Sequence, residues 1–265
     1  MVLKYELTDH IATITLDRPD VKNALNRELY AKLEQAFIDA HRDLDVRCVI
    51  LTGAGTAFCS GDDVKEIMLA PAGTPGAETP ATRQREPMPH PTPAAMAVLS
   101  CDKPVIAAVN GAAVGCGMDL ALLCDIRIAS DRAKFGELFI KRGLVSDIGG
   151  LWRLPQIVGP SKAAELLFTG AIIDAREAER IGLVSRVVTE DELMPTAREM
   201  AAKIAANPPI AMRFMKQGLR MSTHGDPREM GAYVMNSLAY LFTTEDHREG
   251  ALSFVEKREP NFKGR

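Results

Sequence analysis

The chain has 265 residues, of which 46% are hydrophobic and 25% are charged, and its formal net charge is −3 at pH 7. A chain of this length and composition can bury a sizeable core and fold alone. The small negative charge gives no basic field for nucleic acid and no polybasic segment for an anionic membrane surface, so we expect neither as a partner.

The five cysteines are scattered, without CxxC or Cys/His ligand spacing. This distribution argues against a disulfide framework and against a metal site such as zinc, and it favours small buried thiols. The N-terminal segment lacks the apolar core of a signal peptide, and no run of about 18 apolar residues predicts a membrane span. We therefore expect a reducing, cytoplasmic location.

The first fifty residues predict a hairpin, a helix and a buried strand. Alternating residues at 3–7 and 11–16 predict the hairpin, and the apolar run at 48–51 predicts the strand. Helical spacing predicts a helix over 26–41 with Asn26 as its N-cap. Four apolar side chains share one face of this helix: Leu29, Leu33, Phe37 and Ala40.

Strand and helix signals alternate again downstream, which indicates an α/β fold. Strands are predicted at 104–109 and 126–128, on either side of a helix that begins near Gly115. Beyond residue 190 the chain predicts successive helices, at 190–205, 208–222, 226–242 and 244–257. Their apolar side chains should pack on the core or on another subunit: Met212, Met215, Leu219, Met230, Tyr233 and Leu238.

A segment rich in proline, glycine and alanine extends from 71 to 93. Its composition predicts a long loop, and long loops within compact domains are usually either disordered or functional. We consider a lid over a nearby site as one interpretation of this segment.

Two glycine-rich turns each follow a strand and precede a helix. The first is AFCSGDD at 57–63, and the second is NGAAVGCGMD at 110–119. Junctions of this kind leave backbone N–H groups unpaired, and a helix dipole adds to them. Together the turns could form an oxyanion hole. Leu120 occupies the third glycine position of a dinucleotide-binding motif, so we discount nucleotide binding.

The same segments, in the same order, resemble the crotonase superfamily (the enoyl-CoA hydratase/isomerase family) across nearly the whole chain. The matching stretches are AFCSGDD, NGAAVGCGMDLALLCDIRIAS, AKFGELF, GGLWRLPQIVG and SFVEKREPNFKGR. The resemblance implies a spiral of ββα units over residues 1–190 and a helical trimerisation region over 191–265. It also implies a homotrimer or hexamer that processes an acyl-CoA thioester, with coenzyme A as part of the substrate and no other cofactor.

Carried over by position, the resemblance assigns the two amides of the oxyanion hole to Asp62 and Cys116. Cys116 stands where the family usually has glycine. The side chains differ from the family pattern, but both donors are backbone groups, so the hole can persist. A nucleophilic Cys116 is an alternative, although no histidine lies nearby in sequence to activate it.

The resemblance also implies where coenzyme A binds, near the first oxyanion turn and along the final helix of the same or a neighbouring subunit. Phe254 and Lys257 match positions used on that helix. Lys22, Ser60 and Lys65 are further candidates near the first turn, with solvated surface charge as the alternative for the two lysines.

Family hydratases add water with two glutamates, and this chain differs at both matched positions. One is Asp119 and the other is Phe139, which cannot transfer a proton. Because each acid–base group contributes on the order of 10²- to 10⁴-fold, we do not expect efficient hydration of straight-chain enoyl-CoA. Glu137 lies two residues before the missing glutamate and could replace it only if that offset preserved the geometry.

Asp147 is the leading catalytic residue, because family isomerases of dienoyl and cyclic acyl-CoA carry an aspartate at this position. It would shift a proton on the acyl group, in an apolar pocket lined by Phe139 and Trp152. The alternative role for Asp147 is the N-cap of a helix that follows.

Two rival functions remain at this stage. One is an enoyl-CoA hydratase in which Asp119 and Asp147 position the water. The other is a CoA-thioester-binding protein without catalysis, which the phenylalanine at 139 motivates.

Overall fold

The computed structural model describes residues 1–69, 92–223 and 225–265. Most of the predicted long loop, from 71 to 91, lies outside the described residues. The interpretation of this loop as a lid therefore also falls outside them. Thr92, which is described, caps the helix Pro93–Ser100 by accepting a hydrogen bond from the Ala95 amide.

Within the described residues, ten strands form two sheets. They are β1 (Leu3–Thr8), β2 (Ile11–Leu16), β3 (Cys48–Gly53), β4 (Ala57–Cys59), β5 (Val105–Val109), β6 (Ala112–Val114), β7 (Ile126–Ser130), β8 (Lys134–Gly136), β9 (Ile172–Asp174) and β10 (Arg186–Val188). The larger sheet has the order β1-β2-β3-β5-β7-β10, and the smaller has the order β4-β6-β8-β9. Only the β1–β2 and β8–β9 pairs are antiparallel.

Ten α-helices accompany the sheets in the described part of the chain. They are α1 (Arg27–Arg42), α2 (Pro93–Ser100), α3 (Cys116–Leu123), α4 (Gly150–Val158), α5 (Pro160–Thr169), α6 (Ala175–Arg180), α7 (Glu190–Ala205), α8 (Pro209–Met221), α9 (Pro227–Leu241) and α10 (Glu245–Glu256). The alternation of strands and helices, followed by helices alone, confirms the α/β class and the helical C-terminal region predicted from the sequence.

The two faces of the large sheet carry two separate apolar clusters. One contains α1, whose predicted apolar face is fully inside, together with the residues around β4, β6 and α3. The other is closed by α7, which buries Leu193, Ala197 and Ala201 against Ile50 and Ile106. The predicted division places the end of the core at residue 190, and α7 begins there. Since α7 packs directly on the large sheet, it is part of the core. That domain division stays a prediction.

Helices α8 to α10 leave many apolar side chains uncovered. Met215, Leu219 and Leu238 are exposed, whereas Met212, Met230 and Tyr233 are partly buried. Only part of the predicted apolar set therefore packs within the chain. No helix in the described residues is both long and apolar enough to cross a membrane.

Asn26 caps α1 as the sequence predicts: its Oδ1 accepts a hydrogen bond from the Leu29 amide at 3.0 Å. Replacing Asn26 by alanine leaves that amide without its partner. We expect the free energy of unfolding to fall by about 1 kcal/mol, measured by urea denaturation. An unchanged unfolding midpoint would show that the cap does not stabilise the helix in solution.

Candidate active site

The two glycine-rich turns lie side by side because the strands that lead into them are neighbours. β4 and β6 pair in parallel, so their carboxyl ends meet at one edge of the small sheet. A Cβ at Gly61 would lie 2.9 Å from the Val114 carbonyl oxygen and 3.5 Å from the Cys116 nitrogen. A Cβ at Gly117 would lie 2.1 Å from the Cys59 carbonyl oxygen. Glycine at these positions therefore allows the two turns to touch.

In the first turn, the backbone hydrogen bonds to Leu25 do not involve the Asp62 amide. Gly61 has φ +88°, a conformation that favours glycine. Its carbonyl accepts from the Leu25 amide at 2.8 Å, and the Asp63 amide donates to the Leu25 carbonyl at 2.9 Å. This parallel bridge uses the groups on either side of the Asp62 amide, and no acceptor for that amide occurs among the described residues.

The second turn supplies the Cys116 amide at the start of α3. Gly115 is the N-cap, with φ +54°, and Cys116 is the first helical residue. Amides of a first helical turn have no intrahelical acceptor, and the helix dipole places partial positive charge there.

One pocket joins both turns. It is lined by Ser60, Gly61, Asp62, Val64, Val114, Gly115, Cys116, Leu138, Phe139 and Arg142. Its volume of 30 Å³ is enough for one or two waters by the usual criterion of about 10–15 Å³ each. Four of the predicted site residues, Ser60, Asp62, Cys116 and Phe139, thus share one cavity. Arg142 adds a cation that the sequence interpretation did not single out.

Tyr30 is a further residue of the site that the sequence interpretation missed. It stands on α1, and its hydroxyl donates a hydrogen bond to Asp62 Oδ1 at 2.6 Å. The same hydroxyl contacts the Cys116 thiol, and burial raises the pKa of Tyr30 well above its usual value. Tyr30 is far in sequence from both turns. The helical periodicity of α1 predicts which of its faces is buried, but it does not predict which distant residues that face contacts.

The Cys116 side chain faces two of the carboxylates. Its Sγ lies 4.0 Å from Asp147 Oδ1, a weak thiol–carboxylate contact. Burial raises the pKa of the Cys116 thiol well above its usual value, and the charges of Asp62 and Asp147 raise it further. The thiol therefore stays protonated near neutral pH, which disfavours the nucleophilic role.

Asp147 lies in the turn before α4 and is exposed. It is not the N-cap of α4, so that alternative is wrong. The N-cap is Gly149, and the Ser146 hydroxyl oxygen accepts the hydrogen bond from the Gly150 amide at 2.7 Å. Ser146 performs the capping, and the Asp147 carboxylate lies beside Cys116 in the second glycine-rich turn.

Asp119 and Glu137 form a second, fully buried group behind Asp147. Asp119 is 0% exposed and Glu137 is 1% exposed. The Ser146 hydroxyl contacts both oxygens of Asp119, at 2.9 Å and 3.1 Å. A Cβ at Gly150 would lie within 3 Å of Ser146 Oγ, Asp119 Oδ1 and Glu137 Oε1. Three polar side chains therefore converge where α4 begins, and only glycine fits between them.

The Asp119 and Glu137 carboxyl groups are neighbours, since Asp119 Oδ1 and Glu137 Oε1 lie 2.8 Å and 2.9 Å from the same Cβ position at Gly150, and a contact follows. This contact is a hydrogen bond only if one of the two carries a proton, because ionised carboxylates only accept. Burial raises the pKa of both groups, and the Asp119 charge raises that of Glu137 further. The Ser146 hydrogen bond lowers the pKa of Asp119 and so opposes the effect of its burial.

The predicted coenzyme A residues fall in two places. Lys22 and Ser60 are adjacent, since the Ser60 amide donates to the Lys22 carbonyl at 3.0 Å, and Lys65 follows the first glycine-rich turn. Phe254 and Lys257 stand exposed at the end of α10 and do not line the pocket. All five assignments stay predictions.

Trp152 is on α4, away from the pocket, with 41% of its surface exposed. The Arg153 guanidinium lies 5.6 Å from its ring centroid, a cation–π contact. The structure thus places Phe139, but not Trp152, in the pocket. No cluster of three or more His, Cys, Asp or Glu side chains suited to a metal ion occurs within the described residues.

Comparison with known proteins extends the similarity over the whole chain. The family model described as enoyl-CoA hydratase/isomerase matches residues 6–265. The (E)-benzylidenesuccinyl-CoA hydratase of Thauera aromatica is 38% identical over 100% of both chains. The short-chain-enoyl-CoA hydratase of Clostridium acetobutylicum is 37% identical over 96% of this chain and 95% of that protein. The enoyl-CoA hydratase structure from Bacillus anthracis superimposes with a TM-score of 0.88, 33% identity and full coverage of both chains.

Proposed function

The chain belongs to the enoyl-CoA hydratase/isomerase family, and on that premise we propose that it is an acyl-CoA isomerase in which Asp147 moves the proton. The substrate is an enoyl, dienoyl or cyclic acyl-CoA, whose thioester carbonyl binds the backbone amides of Asp62 and Cys116. The observation that carries the proposal is the position of Asp147, with its Oδ1 4.0 Å from the side chain of the residue that supplies one of those amides.

The proposed reaction needs only one proton-transfer group. Asp147 takes a proton from the γ carbon or an equivalent position, and the electron pair of that C–H bond shifts through the conjugated system onto the thioester oxygen. The two amides and the dipole of α3 stabilise the resulting enolate, an interaction in which one donor is worth on the order of 10²- to 10³-fold in rate. Asp147 then returns the proton to another carbon, and the double bond has moved.

The lining of the pocket supports an acyl group that is apolar beside the thioester. Phe139 is 7% exposed and occupies the position where family hydratases carry their second glutamate. Its ring supplies an apolar wall in place of a proton donor. The CoA moiety is proposed to bind at Lys22, Ser60 and Lys65 near the first turn, and at Phe254 and Lys257 of the same or another subunit.

Hydration is the second candidate function, because the two relatives described above are hydratases. In this candidate Asp119 and Asp147 position the water. Asp119 weakens the candidate, since its carboxylate is fully buried and engaged by Ser146. A water would have to reach it through a change in the turn at 146–150.

Incubation with crotonyl-CoA and with a dienoyl-CoA separates these functions. We expect the double bonds of the dienoyl-CoA to move faster than water adds to crotonyl-CoA. Rapid hydration of crotonyl-CoA that persists in Asp147→Asn would contradict the isomerase. Tight binding of a broad acyl-CoA panel without turnover would instead support a non-catalytic binding protein.

We also propose that the chain assembles as a homotrimer or a hexamer through its helical tail. The exposed apolar residues Met215 and Leu219 on α8 and Leu238 on α9 support this assembly, since such surfaces are often covered by a partner. Light scattering coupled to gel filtration tests it, and a monomeric mass at micromolar concentration would contradict it.

A further inference from the structure

The buried pair Asp119 and Glu137 is connected by contacts to the turn that carries Asp147. The Glu137 and Asp119 carboxyl oxygens both lie within 3 Å of the Cβ position at Gly150, Asp119 accepts a hydrogen bond from the Ser146 hydroxyl, and Ser146 Oγ accepts one from the Gly150 amide. Gly149 and Gly150, which follow Asp147 in sequence, have no side chains of their own to hold the turn. The turn that carries Asp147 is therefore held by a series of polar contacts that ends at Glu137, together with the buried side chain of Ile148.

The Glu137 carboxyl group, at the end of this series of polar contacts, is unsatisfied in its hydrogen bonding. Neither oxygen of the buried Glu137 carboxyl has a hydrogen-bond partner among the described residues. A buried carboxylate without a donor is strongly disfavoured, and two ionised carboxylates in contact repel each other. A single proton held between Glu137 and Asp119 removes both difficulties, as in pairs of carboxyl groups that cannot both ionise.

We propose that Asp119 and Glu137 share one proton, and that Glu137 is thereby a positioning residue that anchors the turn bearing Asp147. Glu137 donates its O–H to Asp119, and the ionised Asp119 accepts the hydroxyl of Ser146. The catalytic consequence rests on the function proposed above for Asp147. The pair does not require substrate contact, so it is distinct from the second glutamate of the hydratases, whose position Phe139 occupies.

Loss of the shared proton should release this anchor. Asp119 and Glu137 face each other, and both face Asp147 on the turn before α4. The neutral Cys116 thiol on α3 lies within reach of the Asp119 charge. All three carboxyl groups are acidic, so deprotonation adds a negative charge to an already negative site. Activity should therefore fall on the alkaline side.

The first test measures the proton without substrate. Infrared spectroscopy of the wild-type protein at pH 7 should show the band of a protonated buried carboxylic acid. Glu137→Gln should remove it, whereas Glu6→Gln, at an exposed position on β1, should leave it. A wild-type spectrum without this band, or a band that persists in Glu137→Gln, would overturn the shared proton.

The second test measures stability against pH. A carboxyl whose pKa is higher in the folded than in the unfolded state favours folding at acid pH, and this contribution is lost as pH rises above the unfolded value of 4.5. Glutamine does not titrate. Relative to wild type, Glu137→Gln should gain at least about tenfold in its folding equilibrium constant between pH 4.5 and pH 8, since each pKa unit is worth tenfold. A constant ratio would overturn the proposal.

The third test measures the anchor. The glutamine amide can still donate to Asp119, but leucine cannot, so Glu137→Gln should be at least about tenfold more active at pH 7 than Glu137→Leu. The alkaline limb of the wild-type pH profile should be absent from Glu137→Gln. Equal activity of the two variants, or an unchanged alkaline limb, would overturn the anchoring role. Inactivity of the wild type on every enoyl-CoA would contradict only the proposed function, because the infrared and stability tests use no substrate.

Discussion

Asp147→Asn is expected to lower kcat on a dienoyl-CoA by about 10²- to 10⁴-fold, the usual contribution of a single acid–base group. Asparagine matches the shape of aspartate but cannot accept the substrate proton. The amides of Asp62 and Cys116 are backbone groups and remain in place, so KM should change only a few-fold. Steady-state kinetics that separate kcat from KM measure both effects.

Asp131 gives a matched control, because it is an exposed aspartate in the turn between β7 and β8. Asp131→Asn should behave as wild type in the same assay. If Asp147→Asn kept kcat within a few-fold of wild type, Asp147 would not be the proton-transfer group. The buried Asp119 would then be the next carboxylate to consider.

Gly117→Ala should lower the free energy of unfolding by about 3 kcal/mol or more, at the upper end of overpacking effects. An added Cβ would lie 2.1 Å from the Cys59 carbonyl oxygen and 2.8 Å from the Cys59 Cβ. Both atoms belong to a buried strand end, so the strand or the first turn of α3 must move. That movement would also separate the two oxyanion turns, and activity should fall with stability.

Gly231 on α9 is the control for this substitution. A Cβ at Gly231 meets nothing within 4 Å, and alanine favours a helix over glycine by about 1 kcal/mol. Gly231→Ala should therefore be neutral or slightly stabilising in urea denaturation. A Gly117→Ala protein as stable as Gly231→Ala would contradict the close contact between α3 and β4.

The fold could be predicted largely because strong local patterns determine it. Alternation in β1 and β2, the apolar face of α1 and its Asn26 cap, and the four helices after residue 190 are all visible in the sequence. The small sheet is different. Its three-residue strands are too short for a periodic signal, and they form only because β4, β6 and β8 lie next to one another in the folded chain.

The site shows the same division between local and distant information. The glycine turns at 61 and 115 are local features of the sequence and could be predicted, whereas the assignment of the two amides to Asp62 and Cys116 comes from the family resemblance and stays a prediction. Tyr30, Ser146 and the role of Glu137 depend on contacts with residues far away in sequence, which spacing cannot reveal. Asp147 was open to two interpretations, and the N-cap alternative failed because Ser146 performs the capping.

The most direct test of the central claim is a structure of the protein with a bound, slowly reacting dienoyl-CoA. We predict that the thioester oxygen lies about 3 Å from both the Asp62 and the Cys116 nitrogen, and that an Asp147 oxygen faces the α to γ carbons. A thioester bound away from these two amides, or a carboxylate other than Asp147 nearest to those carbons, would contradict the account.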